Sequence, residues 1–213
     1  MNVYVVGDSI SLHYGPYLEK YLAGFAGYAR KTGREKALDG LDLPRDANGG
    51  DSGAVLAFLR ALAAQGRWPA DLLLFNCGLH DIKTHPATGA RQVPMGRYAD
   101  HLAAILQTIE NLGPRPIWIR STPFDEENHN RKSVGFHRYV ADLDAYNDTA
   151  DRIMRAHGVD IIDLHGFTLR LGRPSELIVD HVHFREEVRA LQGAFIAGWL
   201  HGFVGKSLRI GKA

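Results

Sequence analysis

Cysteine is nearly missing from this sequence: Cys77 is the only one among 213 residues. An internal disulfide is therefore impossible, and a cysteine-rich zinc site cannot form. Long apolar runs are also lacking, and the stretch from Asp71 to Phe75 onward falls far short of the roughly 20 residues a membrane-spanning helix needs. Neither charge sign dominates, since Lys plus Arg number 25 and Asp plus Glu number 24, for a net charge of +1. No whole-protein field then favours nucleic acid or an anionic membrane as a partner. Low-complexity tracts, internal repeats and Pro- or Ser-rich linkers are absent, which excludes a mainly disordered, collagenous or coiled-coil chain. From Met1 onward there is no basic leader, apolar h-region or small-residue cleavage site, so the expectation is a cytoplasmic protein.

What is present is an ordinary globular composition, 45% hydrophobic and 23% charged. The length suits one domain burying about 70% of the surface its unfolded chain exposes. That domain is expected over residues 1–205, with a basic tail over 206–213 that reads as a frayed end rather than a nucleic-acid patch. Short β-branched and aromatic runs at Val3 to Val6, Asp71 to Phe75, Pro116 to Arg120 and Asp160 to Leu164 predict four buried strands. A fifth is expected within Phe25 to Lys31, where Gly24, Gly27 and Gly33 blur the signal. Stretches of helical spacing, each stopped by a glycine, run Val55 to Leu62 before Gly66, Tyr98 to Ile109 before Gly113, and Leu143 to Met154 before Gly158. An early helix is predicted over Tyr14 to Ala23. The last is predicted from Glu186, with Val188, Leu191, Phe195, Trp199 and Leu200 on its apolar face. Strand starts about 45 residues apart leave room for a helix and two loops, the right-handed βαβ crossover. The predicted fold is α/β: a mainly parallel sheet of about five strands between two helix layers. Thr32 to Gly50, Ile82 to Pro94 and Thr122 to Phe136 read as irregular.

In an open α/β sheet the loops after strand C-termini form the ligand crevice, so chemistry is sought there first. After the first strand come Gly7, Asp8, Ser9, Ile10 and Ser11, a tight turn that puts Ser9 at the crevice lip near a helix N-terminus. A hydroxyl there suits a nucleophile, and the free N–H groups beside it suit a developing anion. The competing reading is a simple helix cap. Near the C-terminus, Asp180 and His183 stand three apart, close enough for the carboxylate to fix the imidazole tautomer and leave its other nitrogen free to take a proton. Competing readings make Asp180 a cap with two surface histidines, or make Asp180, His181 and His183 metal ligands. The second is disfavoured because alternate residues of an extended segment point to opposite sides. Two further loops border the crevice. One is Asn48 to Ser52, in which Gly50 offers an unobstructed N–H and Ser52 a natural helix cap; the other is Asn76 to Asp81, in which His80 and Asn76 carry side-chain donors.

In this order the four segments resemble the SGNH (GDSL) hydrolase superfamily of serine esterases and lipases, over roughly Val3 to Phe184. Gly7, Asp8 and Ser9 look like its nucleophile block, and Gly50 falls at its oxyanion glycine. Gly78 to Asp81 occupies its Gly-x-Asn-Asp block, and Asp180 with His183 is similar to its acid and base block. The resemblance implies a flavodoxin-like three-layer α/β/α sandwich and an oxyanion hole made of the Ser9 N–H, the Gly50 N–H and a side chain of the third block. One departure stands out: His80 occupies the position of the family's usual Asn, and Asn76 competes with it as the third donor.

The mechanism expected from these residues has His183 deprotonating Ser9, Ser9 attacking an ester carbonyl, and water releasing the acyl group, with Asp180 ionised throughout. No metal or organic cofactor is required, and the expected partner is a small-molecule ester. The polar run Asp125 to Lys132 suits a hydrophilic substrate such as an acetyl ester of a carbohydrate, and equally suits a solvated loop. Trp118 and Trp199 read as core rather than as sugar platforms. Two alternatives remain open from sequence: a non-catalytic ligand-binding member of the same fold, and a lysophospholipase- or thioesterase-type acyl hydrolase.

Overall fold

The computed structural model describes residues 1–38, 46–66, 68, 70–132 and 135–210. Five strands, β1 (Asn2–Val6), β2 (Gly27–Arg30), β3 (Leu72–Phe75), β4 (Arg115–Ile119) and β5 (Asp160–Ile162), form one sheet in the order β2-β1-β3-β4-β5. Every neighbouring pair is parallel. Leu72 to Phe75 is buried at every position, as a central parallel strand covered on both faces requires. The fifth strand lies within the expected window, although its glycine and alternating exposure mark it as an edge.

The helices in chain order are α1 (Ser9–Leu22), α2 (Arg34–Leu38), α3 (Ser52–Ala64), α4 (Met95–Leu112), α5 (Glu126–Lys132), α6 (Val140–Ala156), α7 (Leu164–Leu171), α8 (Pro174–Leu177) and α9 (Glu186–Ile210). One layer joins α1, α7 and α9, and the other joins α3, α4 and α6. A single apolar cluster runs from one layer through the sheet to the other, with Trp118 fully buried against Phe75. None of the described helices is long and apolar enough to cross a membrane.

Several boundaries differ from the sequence reading. α1 starts at Ser9 and not at Tyr14, because Asp8 caps it by accepting the Ile10 N–H at 3.0 Å. Asp51, not Ser52, caps α3 through the Ala54 N–H. The final strand stops at Ile162 because Asp163 caps α7. Helices α2 and α5 form inside stretches expected to be irregular. On α9 the predicted face is rotated: Leu191 is 46% exposed, while Val188, Gln192, Ile196 and Leu200 form the buried row. Gln192 hides in that row by donating to Thr168 Oγ1 at 3.1 Å, which an apolar pattern cannot reveal. Trp199 is half-buried and stacks on Phe203. The expected tail from 206 continues α9 through Ile210, and residues 211–213 lie outside the described residues.

Candidate active site

β1 ends at Val6 and the chain turns through Gly7 and Asp8 into α1, leaving Ser9 in the first helical turn with only 6% of its surface exposed. Residue 183, on the turn between α8 and α9, meets it. His183 Nε2 lies 2.8 Å from Ser9 Oγ, and His183 Nδ1 lies 2.6 Å from Asp180 Oδ2. With the Nδ1 proton donated to the carboxylate, Nε2 is left to accept the serine hydroxyl. The other carboxylate oxygen, Asp180 Oδ1, accepts the backbone N–H groups of His181, Val182 and His183, the last two at 2.8 Å. Burial alone would raise the Asp180 carboxyl, but the hydrogen bond and charge of His183 and these backbone donors hold it well below the ordinary carboxylate range. An antiparallel bridge between Ile178 and Phe184 closes the turn.

His13, one helical turn beyond Ser9 on α1, sets its ring edge-on to His183 with centroids 5.0 Å apart. Burial, then the charges of His183 and Arg189, push the His13 imidazole down to about 3. It therefore stays neutral beside His183 across the working pH range. In the sequence only its i, i+4 spacing from Ser9 points to it.

On the other side of Ser9, the Asn48 to Ser52 loop presses against the end of β1. Gly49 N–H donates to Gly7 O at 2.8 Å, and a Cβ at Gly49 would meet that carbonyl at 3.0 Å. Gly50 adopts φ of 71°, the left-handed region that favours glycine. Its N–H donates to Asn48 Oδ1 at 3.0 Å, so this expected donor is already engaged. Two cations of β2 and the residue after it hold the loop: Arg30 donates to Ser11 O and Ala47 O, and Lys31 Nζ to Asn48 O.

His80 is buried in the turn after β3. The next residue, Asp81, accepts the Ser52 N–H with both carboxylate oxygens at 3.0 and 3.1 Å, tying the His80 turn to the Gly50 loop. Asn76 is committed elsewhere, since its amide donates to Ile119 O at 2.7 Å and Ser121 Oγ at 3.1 Å. Asp180, His181 and His183 do not converge as a metal site: His181 Nδ1 turns to His129 Nδ1 at 2.8 Å while His183 turns to Ser9. Among the described residues no group of three or more His, Cys, Asp or Glu could hold a metal ion. The arrangement can pass a proton from a hydroxyl to an imidazole braced by a carboxylate, beside backbone N–H groups able to receive negative charge.

The chain is similar in sequence to a known family and in fold to solved structures. The sequence profile described as the GDSL-like lipase/acylhydrolase family matches residues 5–191. Among solved structures, a lipase/acylhydrolase from Enterococcus faecalis is similar with a TM-score of 0.70 at 16% identity, covering 94% of this chain and 95% of its own. The psychrotrophic esterase EstA from Pseudoalteromonas sp. has a TM-score of 0.64 at 15% identity, covering 96% and 98%. Est24, a carbohydrate acetylesterase from Sinorhizobium meliloti, has a TM-score of 0.58 at 15% identity, covering 95% and 99%. At these identities the structural likeness concerns the fold. No curated protein matches the chain in sequence.

Proposed function

Since the chain belongs to the GDSL-like lipase/acylhydrolase family and is a hydrolase of ester bonds, we propose that Ser9 is its nucleophile, His183 its general base and Asp180 the group that orients the base. The observation that carries this reading is the unbroken row from Asp180 Oδ2 through the His183 ring to Ser9 Oγ, with contacts of 2.6 and 2.8 Å. In the first half-reaction the Ser9 proton passes to His183 Nε2 as Oγ bonds to the ester carbon. The tetrahedral oxyanion then collapses, and the departing alcohol takes the proton from His183. Water, deprotonated by the same imidazole, attacks the acyl-serine and releases the acid.

The oxyanion is held by the N–H groups of Ser9 and Gly50, with His80 as side-chain donor. It takes over the hydrogen bond that Gly50 gives to Asn48, so the loop geometry that suits Asn48 Oδ1 also suits a developing anion. The recessed nucleophile favours a small acyl group, and an acetyl ester of a carbohydrate is the substrate we put forward. The polar surface of α5 and the fold shared with the carbohydrate acetylesterase Est24 support that choice.

Turnover of p-nitrophenyl acetate tests the reading. Ser9→Ala and His183→Ala are expected to lower kcat on the order of 10,000-fold, with EDTA without effect on the wild type. Equal turnover by Ser9→Ala would refute the assignment. A homologous series from acetyl to octanoyl ester should fall steadily in kcat/KM; a maximum at long chains would favour the lysophospholipase- or thioesterase-type reading instead.

A further inference from the structure

The polar stretch after β4 is helical in part. Its seven-residue helix α5 reaches both catalytic turns at once. Toward the acid and base turn, Asn128 Nδ2 donates to Asp180 O at 2.7 Å, and Lys132 Nζ donates to the same carbonyl at 3.1 Å. His129, wholly buried, bonds Nδ1 to Nδ1 with His181 at 2.8 Å. Phe124 and Phe136 flank its ring, with centroids 5.7 and 5.5 Å away. Toward the other side, Asn130 exchanges two hydrogen bonds of 2.9 Å with the backbone of Arg138. The Arg138 side chain, buried in turn, donates from Nε to Leu79 O at 2.7 Å, beside His80.

We propose that α5 is a clasp that holds the Asp180 to His183 turn against the turn of Leu79 and His80, and that Asn128 and His129 are positioning residues that orient His183 toward Ser9. The idea rests on the catalytic reading above and extends it. Asp180 braces the imidazole with its carboxylate, but its own backbone carbonyl is held from outside the turn, by α5. Ile178, Val182 and Phe184 anchor the two ends of the turn in the core, whereas Val179 is 59% exposed, so the stretch of Val179 and Asp180 between them is held by polar bonds. The bonds from α5 to the Asp180 carbonyl place the carboxylate that orients His183. A nitrogen-to-nitrogen bond between two imidazoles demands that one ring present Nδ1–H and the other a bare Nδ1. This fixes both tautomers and both ring planes, which is more orientation than packing alone gives. Small displacements of a general base are costly in rate, since a misplacement near 1 Å can lose on the order of 100-fold.

Two variants separate positioning from folding. Asn128→Ala removes one partly exposed donor, and His129→Phe keeps the ring in its aromatic surroundings while deleting the bond to His181. Both are expected to lower kcat for p-nitrophenyl acetate between about 10- and 100-fold, with KM within about 2-fold of wild type. Phosphonate labelling of Ser9 should slow in parallel, because it reads activation of the hydroxyl without substrate binding. His129→Gln, which can still bond to His181 Nδ1, should recover most of the loss. Wild-type kcat and labelling in both Asn128→Ala and His129→Phe would overturn the clasp. Should His129→Phe fail to fold, Asn128→Ala decides alone. Ser9→Ala distinguishes the two levels of the argument: an inactive Ser9→Ala with fully active clasp variants leaves the catalytic reading standing, whereas an active Ser9→Ala removes both.

Discussion

A carboxyl enclosed as completely as that of Asp81 titrates far from its ordinary range. Burial pushes it up to about 7, against the hydrogen bonds it accepts from Ser52. In the unfolded chain it returns to its ordinary value near 3.8. Between those two values the folded state holds a proton that the unfolded state releases. The group's stabilising contribution is therefore complete below pH 3.8 and is lost as pH rises to about 7, a change of about 4 kcal/mol. Asp81→Asn keeps an oxygen for the Ser52 N–H and removes the titration. The variant should gain unfolding free energy relative to wild type as pH rises from 5 to 8, measured by urea denaturation at each pH. His13 acts in the opposite sense: its depressed imidazole loses stability as pH falls from 6.5 toward about 3. Both proteins carry His13, so its contribution cancels in the difference. Parallel curves for the two proteins would show that Asp81 is not the titrating group.

Ser9 and His183 meet because the elements that carry them pack together, α1 from Ser9 and α9 from just after His183. They approach closely at Gly193, where a Cβ would lie 2.8 Å from Tyr17 Cβ and 2.9 Å from Leu18 N. The Leu18 contact is with backbone, so Gly193→Ala must push the two helices apart. We expect a loss of about 1–3 kcal/mol and a lower melting temperature. Gly198 on the same helix has nothing within 4 Å. There the same substitution should be neutral or stabilising by up to about 1 kcal/mol through helix propensity. Calorimetry on the pair gives opposite signs if helix approach is what Gly193 permits, and equal shifts if it is not. At this scale the sequence is read unevenly. Strands such as Leu72 to Phe75 announce themselves because a doubly covered strand is apolar at every position. Asp180 and His183 are legible as a pair because their contact spans a single turn. α5 was not, since its side chains are polar and its partners lie at Asp180, His181 and Arg138. The buried face of α9 is hidden in the sequence because Gln192 and Gly193, which lie on it, carry no apolar signal. Asp51 caps α3 where the same preference equally allows Ser52 beside it, and Asp8 caps a helix that the sequence pattern starts only at Tyr14.

For the molecule as a whole, the strand order accounts for where the proposed site sits. The chain runs outward from β1 to β2 and then returns to the other side of β1 for β3, so the connections leaving β1 and β3 diverge and open a crevice at their C-terminal ends. Ser9 follows β1, and His80 and Asp81 follow β3. Cys77 lies between these features, fully buried at the end of β3 and part of the cluster that joins both helix layers. Burial, with Asp81, Asp51 and Asp8 nearby, pushes its thiol well above the ordinary value, so it is neither accessible nor ionised in the folded protein. That makes it a reporter of cooperativity. If one continuous core holds both layers, Cys77 becomes reactive only when the sheet itself opens, and neither fraying of α2 nor motion of α5 exposes it. Labelling with a maleimide across a urea series should then show the same midpoint as the loss of far-ultraviolet circular dichroism. A thiol transition at clearly lower urea would mean that the end of β3 opens while the helices persist, and that the two layers are separate cooperative units.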